Sequence, residues 1–127
     1  MSLNRERSPR LVEHLDVDIR NVKDEHIYTL TLNVSIDGFA IQCSMRDRNK
    51  LTPQGDFVDD GGKPVEVDVN LQWQKQPGEK ECIDARCRVV YSRRIAQDKC
   101  QIGLNFIELL GDGKGKLLMF IQNVLNV

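Results

Sequence analysis

The clearest pattern along the chain is an unbroken alternation of apolar and polar residues over residues 65–73. Side chains of a β-strand point alternately to the two faces of its sheet, so this period of two predicts a strand with one buried and one wet face. Similar alternations predict strands over residues 15–20, 28–36 and 83–89. Two apolar-rich runs, residues 39–45 and 100–109, bring the predicted total to about six strands.

In the strand predicted over residues 28–36, the second along the chain, the apolar positions are expected to face the core. The expected inner set is Tyr28, Leu30, Leu32, Val34 and Ile36, and the expected outer set is Thr29, Thr31, Asn33 and Ser35. Asp37 with Gly38, and Pro77 with Gly78, each predict a tight reversal between strands. Antiparallel strands with one polar face each favour a closed all-β barrel, because closure removes exposed edges.

Two segments depart from the strand pattern. Residues 46–63 contain one proline, three glycines and several acids, and predict a long mobile loop. Apolar residues at helical spacing predict an amphipathic C-terminal helix over residues 113–126, which is expected to pack on the barrel, with dimerisation as the alternative. The apolar positions of this helix are Leu117, Leu118, Ile121, Val124 and Leu125. The chain therefore divides into an arm, residues 1–12, and a barrel with its helix, residues 13–127.

Composition narrows the function classes. The chain has 127 residues, enough for one domain, and a formal net charge of -1, which argues against a globally basic binder of DNA or RNA. Only 6% of residues are aromatic, which disfavours a barrel that stacks single-stranded nucleic acid. No apolar run is long enough to insert into a membrane and no signal peptide is evident, so a cytoplasmic location is expected.

Catalytic and metal chemistry find little support in the sequence. The four cysteines form no CxxC pair and are expected to be free thiols. The two histidines lie in separate segments, which disfavours a zinc site, and no Gly-rich phosphate loop is present. The acids Asp56, Asp59 and Asp60 miss the spacing of a calcium loop. We therefore expect neither an enzyme nor a bound cofactor or metal.

Two short segments stand out as candidate binding elements. Arg5, Arg7 and Arg10 make the N-terminal arm locally cationic on a near-neutral body, which suits a small anionic ligand. At the end of the second strand, Asn33 and Ser35 are predicted to project together from the outer face. The glycine that follows at position 38 permits a close backbone approach. Ordinary turn preference explains the second segment equally well.

The two segments together resemble the signatures of PilZ domains, bacterial receptors for the second messenger cyclic di-GMP. Asn33-x-Ser35-x-x-Gly38 matches the (D/N)xSxxG signature, and the arginine-rich segment at residues 5–10 resembles the RxxxR signature. Residues 88–91 and 102–106 also look like the family's last two strands. The resemblance covers essentially the whole chain and implies a six-stranded antiparallel β-barrel with a C-terminal α-helix.

The resemblance also implies a ligand site. Its residues are Arg5, Arg7, Arg10, Asn33, Ser35, Gly38 and Tyr91. Arg10 and Arg5 would contact phosphate and guanine, with Arg7 in support, because a guanidinium pairs bidentately with either group. The amide and hydroxyl of the second signature would hydrogen-bond the ligand, and Gly38 would keep the reversal tight beneath it. Tyr91 would pack on a base, although strict alternation favours a core position for this ring.

The same resemblance carries expectations about signalling. The arm is expected to be mobile without ligand and to fold over cyclic di-GMP, which would alter contacts with a protein of motility, pilus, exopolysaccharide or biofilm machinery. A homodimer is left open. One position departs from the family pattern, because Glu6 stands four residues before Arg10 where the signature has arginine. This departure supports an alternative, a degenerate PilZ interaction module that binds no nucleotide.

Overall fold

A computed structural model describes residues 9–53, 58 and 61–126 of the chain. These residues form six β-strands and two α-helices. In chain order the elements are β1 (Asp16–Arg20), β2 (His26–Val34), β3 (Gly38–Cys43), α1 (Met45–Leu51), β4 (Glu66–Gln76), β5 (Glu79–Ala96), β6 (Lys99–Leu109) and α2 (Gly113–Leu125).

The six strands close into one antiparallel barrel in the order β1-β2-β3-β6-β5-β4, with β1 also paired to β4. Short reversals join β2 to β3 and β4 to β5 at the predicted positions. Gly78 adopts a positive φ of 80° in the second of these turns, a conformation that glycine adopts without strain. The all-β barrel with a C-terminal helix that the sequence predicts is confirmed.

Apolar residues that alternate along the strands fill the barrel interior. Val67, Val69 and Leu71 of β4 are at most 3% exposed, as the pattern predicts. Val17 and Ile19 of β1 join the same core. Full burial of an aliphatic side chain of this size stabilises the fold by roughly 1.5–3 kcal/mol, so this shared interior is the main source of stability.

The inside–outside assignment predicted for β2 is wrong over most of the strand. Tyr28 and Leu30 are 73% and 50% exposed, whereas Thr31 is fully buried. The interior tolerates the Thr31 hydroxyl because it donates to the carbonyl of Glu13 at 2.6 Å and accepts from the N–H of Leu15 at 2.9 Å. Burial of a polar group destabilises the fold little when its hydrogen bonds are satisfied. The polarity of the residues therefore did not reveal which face of β2 is buried.

A β-bulge then corrects the alternation before β2 ends. Thr31 pairs with Ile41 and Asn33 pairs with Ala40, which leaves Leu32 as the extra residue. The extra residue shifts the alternation by one position. Val34 therefore points into the core with 0% exposure, as predicted.

The mobile loop predicted over residues 46–63 is wrong in its first part, where α1 forms. The Ser44 hydroxyl caps this helix by accepting a hydrogen bond from the N–H of Asp47 at 3.1 Å. Serine is a favoured N-cap, so Ser44 was the available signal. Residues 54–57 and 59–60 of the predicted loop lie outside the described part of the chain.

The C-terminal helix α2 packs on the barrel, as predicted. Leu117 and Ile121 are 0% and 8% exposed and belong to the core. Leu118 and Leu125, which the helical spacing also assigned to the apolar face, are instead 39% and 55% exposed. Within the described residues, no helix has the length and apolarity needed to cross a membrane.

Candidate functional site

Arg10 contacts Asn33, so the structure joins the two predicted binding elements. The guanidinium Nη1 of Arg10 donates to the Asn33 side-chain oxygen at 3.2 Å. The backbone fixes this contact, because Leu11 and Val34 exchange two hydrogen bonds of 2.9 Å each. The last residues of the predicted arm are therefore attached to the end of β2.

Asn33 faces outward because of the bulge in β2. Its neighbour Val34 points into the core, and successive side chains of a strand point to opposite faces. Asn33 also lies directly opposite Ala40 on β3. The predicted outward position of Asn33 is confirmed, and the bulge is the reason that it holds despite the inverted alternation upstream.

Ser35 does not lie on the outer face beside Asn33, so this prediction is corrected. It is 1% exposed and follows the last residue of β2. Its hydroxyl accepts from the N–H of Asp37 at 3.1 Å and donates to the carbonyl of Gly38 at 3.4 Å, and its own N–H donates to the same carbonyl at 2.8 Å. Strand alternation no longer applies within this turn, and Ser35 holds the reversal together.

Gly38 allows a close backbone approach, but the neighbouring strand occupies the space it leaves. A β-carbon at this position would lie 2.0 Å from the carbonyl oxygen of Leu104 and 2.9 Å from Cα of Asn105. Any larger residue would therefore push β3 away from β6. The close approach that Gly38 permits is therefore that of β6.

Tyr91 lies on the outer face, so a core position for this ring is wrong. Val89 pairs with Leu104 and Tyr91 pairs with Gly103, which leaves Val90 as the extra residue of a second bulge. Leu104 points inward with 0% exposure, so its neighbour Gly103 and the opposite Tyr91 face outward. The bulge reverses the outcome of strict alternation.

The Tyr91 ring lies against the backbone of Gly103. A β-carbon on Gly103 would lie 2.1 Å from the ring, so only glycine allows this contact. The side-chain amide of Gln101 donates to the Tyr91 hydroxyl at 2.9 Å and holds the ring in place. The ring is half-buried, so part of it is accessible at the surface.

These residues form a continuous row across four strands, which we call the outer row. Its members are Asn33, Ala40, Gly103 and Tyr91, each paired to the next across neighbouring strands. The row spans three strand spacings, roughly 14 Å. Its two central residues, Ala40 and Gly103, are small and buried, and they separate the polar end at Asn33 from the aromatic end at Tyr91. Sequence reasoning missed the two small residues, whose one signal was their size within otherwise bulky apolar strands.

Arg5 and Arg7, and with them Glu6, lie outside the described residues, so the structure brings only Arg10 of the three predicted arginines to the row. Within the described part of the chain, no carboxylate forms an ion pair with Arg10. Its guanidinium is exposed and retains donors beyond the one that Asn33 receives.

The described residues offer no candidate metal site, and three of the four cysteines are buried. No group of three or more metal-ligating side chains lies close together there. Burial raises the pKa of Cys43 and of Cys87 to about 12, so both thiols are protonated at neutral pH and are poor nucleophiles.

Two concavities among the described residues do not coincide with the outer row. One of about 500 Å³ is lined by residues of β1, β2 and β4, including Tyr28 and Leu30. Another of about 560 Å³ lies between β4 and α2, beside Trp73 and Phe120. Neither concavity is lined by an arginine or by a predicted site residue. We therefore place the candidate site on the outer row.

Comparison with known proteins supports the architecture. No family model matches the sequence, and no curated protein matches it. Solved structures do match: the Bacillus subtilis inhibitor of motility MotI/DgrA aligns with 94% of this chain at a TM-score of 0.68 and 20% identity. The PlzA protein of Borreliella burgdorferi, in complex with c-di-GMP (cyclic di-GMP), aligns with 97% at a TM-score of 0.62 and 8% identity.

Both likenesses concern the fold. Identities of 20% and 8% are low, but the alignments extend over nearly the whole barrel and its helix. The chain spans about half the length of the two structures, 51% of MotI/DgrA and 54% of PlzA. This protein therefore shares its barrel with parts of a motility inhibitor and of a cyclic di-GMP complex.

Proposed function

We propose that this protein is a PilZ-type receptor that binds cyclic di-GMP on the outer row and catalyses no reaction. The contact of Arg10 with Asn33 carries the proposal, because it joins the two elements whose motifs resemble the PilZ signatures. The PlzA protein, part of which has a similar barrel, has been solved in complex with the same nucleotide. Because PlzA is only 8% identical to this chain, the joined motifs support the proposal more strongly than the shared fold does.

The exposed groups of the site suit the chemistry of the ligand. Cyclic di-GMP presents two phosphates and two guanines, each guanine with adjacent O6 and N7 acceptors. Arg10 can pair bidentately with a phosphate or with a guanine edge, and it is already oriented by Asn33. The Asn33 amide supplies donors of its own, so both residues would contact the ligand directly.

Tyr91 would supply the stacking surface at the other end of the row. An aromatic ring that is held against backbone loses little freedom when a base stacks on it, which favours binding. Ser35 and Gly38 would act indirectly, because both are buried and hold the reversal that presents Asn33.

Arg5 and Arg7 would close over the bound nucleotide from the arm. Ordering of this segment would then change the surface offered to a partner protein or to a second copy, which is the proposed output signal. A partner in motility machinery is favoured by the name of MotI/DgrA, an inhibitor of motility with a similar barrel.

Calorimetric titration with cyclic di-GMP tests the proposal. We expect the wild type to bind at micromolar concentration or tighter, and Arg10→Ala to bind about ten- to a hundredfold more weakly, because a hydrogen bond to a charged group is lost. Arg20→Ala is the matched control, since Arg20 is exposed but paired with Asp68 at 3.0 Å. Absence of heat with the wild type would refute the receptor proposal, and equal affinity of Arg10→Ala would refute the site.

The alternative is an interaction module that has lost nucleotide binding. Glu6 in the arginine-rich segment is the observation that favours it. Thermal unfolding separates the two functions, because ligand at 100 times its dissociation constant stabilises a receptor by about 2.7 kcal/mol. No shift for the wild type, together with a shift for Glu6→Arg, would identify a degenerate receptor.

A further inference from the structure

Three large side chains share the outer face in the second half of β5: Arg88, Tyr91 and Arg93. Their cross-strand partners on β6 are Asn105, Gly103 and Gln101, alternate residues that lie on one face of that strand. Because the bulge at Val90 resets the alternation, the tyrosine has one arginine on each side. Alternate residues of a strand are roughly 7 Å apart, so both guanidinium groups can reach the neighbourhood of the ring.

These two arginines differ from Arg86, which precedes them on the same face. Arg86 is held by Glu66 at 3.1 Å and by Asp68 at 2.9 Å. Within the described part of the chain, no carboxylate lies within ion-pair distance of Arg88 or Arg93. Glu66 is the cross-strand neighbour of Arg88 on β4, but its carboxylate is engaged by Arg86.

Gln101 links one of these arginines to the tyrosine. Its amide nitrogen donates to the Tyr91 hydroxyl at 2.9 Å, and its amide oxygen accepts from Arg93 at 3.3 Å. One side chain thereby orients both the ring and a neighbouring guanidinium. Groups that are oriented before binding lose less entropy when a ligand arrives.

We propose that Arg88 and Arg93 bind the two phosphates of the nucleotide whose base stacks on Tyr91. In a cyclic dinucleotide each ribose is joined to both phosphates, so a base on the ring carries one phosphate toward each side. On each side stands a guanidinium with no carboxylate partner among the described residues. This inference rests on the proposed function and deepens it, since it assigns a second cationic wall to the site, opposite Arg10.

Calorimetry on single variants tests the assignment. Arg88→Gln and Arg93→Gln are each expected to weaken cyclic di-GMP binding about tenfold or more, because each loses a charge-assisted hydrogen bond to phosphate. Arg94→Gln is the matched control. It makes the same change of charge one residue away, but Arg94 donates to the carbonyls of Ala96 and Gln97 at the tip of its own hairpin. Its affinity is expected to stay within about twofold of wild type.

A second measurement separates contact from general charge effects. In ¹H–¹⁵N spectra of the wild type, the Nε signals of Arg88 and Arg93 should shift on addition of cyclic di-GMP, while the Arg94 signal stays in place. Wild-type affinity in both glutamine variants, with weakened binding by Arg10→Ala, would overturn this inference alone. Equal weakening by Arg94→Gln would also overturn it, and absence of wild-type binding would overturn it together with the receptor function.

Discussion

Two surfaces of the barrel use arginine in opposite ways. On the first, which we call the paired face, Arg20 and Arg86 both donate to Asp68. On the second, the arginine face, Arg10, Arg88 and Arg93 surround the outer row without a carboxylate partner in the described residues. Arg86 and Arg88 stand two positions apart on one strand, so residue type does not separate them. The difference lies in which arginine the carboxylates of β4 contact, because Glu66 is the cross-strand neighbour of Arg88 but forms its ion pair with Arg86.

The state of Arg86 shows what pairing does. Desolvation is the largest influence on its pKa and lowers it, but the hydrogen bonds and charges of Glu66 and Asp68 together outweigh that effect and raise the pKa above its ordinary value. A guanidinium held in this way has few donors left for a ligand. A guanidinium without a carboxylate partner, on a nearly neutral protein, keeps its N–H donors available for an anion.

Replacement of Gly38 is expected to have the largest effect on the arginine face. In Gly38→Ala the new methyl group would meet the backbone of Leu104 and Asn105, which cannot move aside as a flexible side chain can. We expect a loss of about 3 kcal/mol in the free energy of unfolding, measured by urea denaturation. Gly115→Ala in α2 is the control, because its methyl group would enter open space and add about 1 kcal/mol of stability. Native stability of Gly38→Ala would show that the close approach of β3 and β6 is dispensable.

Removal of the shared carboxylate tests the paired face. Asp68→Asn takes the partner from two arginines and is expected to cost about 1 kcal/mol in 50 mM salt, and less in 1 M salt, because exposed ion pairs are weak and screened. Arg88→Gln, which breaks no ion pair between described residues, should leave stability within about 0.5 kcal/mol of wild type. Urea denaturation at the two salt concentrations measures both. An equal loss in the free energy of unfolding of the two variants would contradict the difference between the two surfaces.

The smallest expected effect concerns an ion pair outside both faces. Lys116 of α2 lies 3.1 Å from Glu81 of β5, and its hydrogen bond lowers the pKa of the Glu81 carboxyl. A carboxyl with a lowered pKa in the folded state stabilises the protein above its ordinary pKa, and this stabilisation is lost as the pH falls through the lowered value. Melting temperatures of the wild type and Glu81→Gln should therefore differ at pH 7 and converge below the normal carboxyl range. A constant difference down to that pH would contradict the role of the charge.

The site was less predictable than the fold, and the two β-bulges explain why. Asn33 was expected outside and Tyr91 inside from alternation alone, and both lie outside, because an extra residue at position 32 and another at position 90 shift the count. A bulge depends on how two strands pair, so it leaves little trace in either strand read by itself. Ser35 was misplaced for a related reason, since the strand ends before it.

The sequence by itself determined the strands, the reversals at residues 37–38 and 77–78, the terminal helix and the motifs that resemble the PilZ signatures. Alternation, turn preference and helical spacing are local properties, and each is complete within a few residues. Only the tertiary structure decided that Arg10 meets Asn33, that Gly103 accommodates Tyr91, and which arginines have partners. Those contacts join strands that are distant along the chain, and their register is set by the packing of the whole barrel.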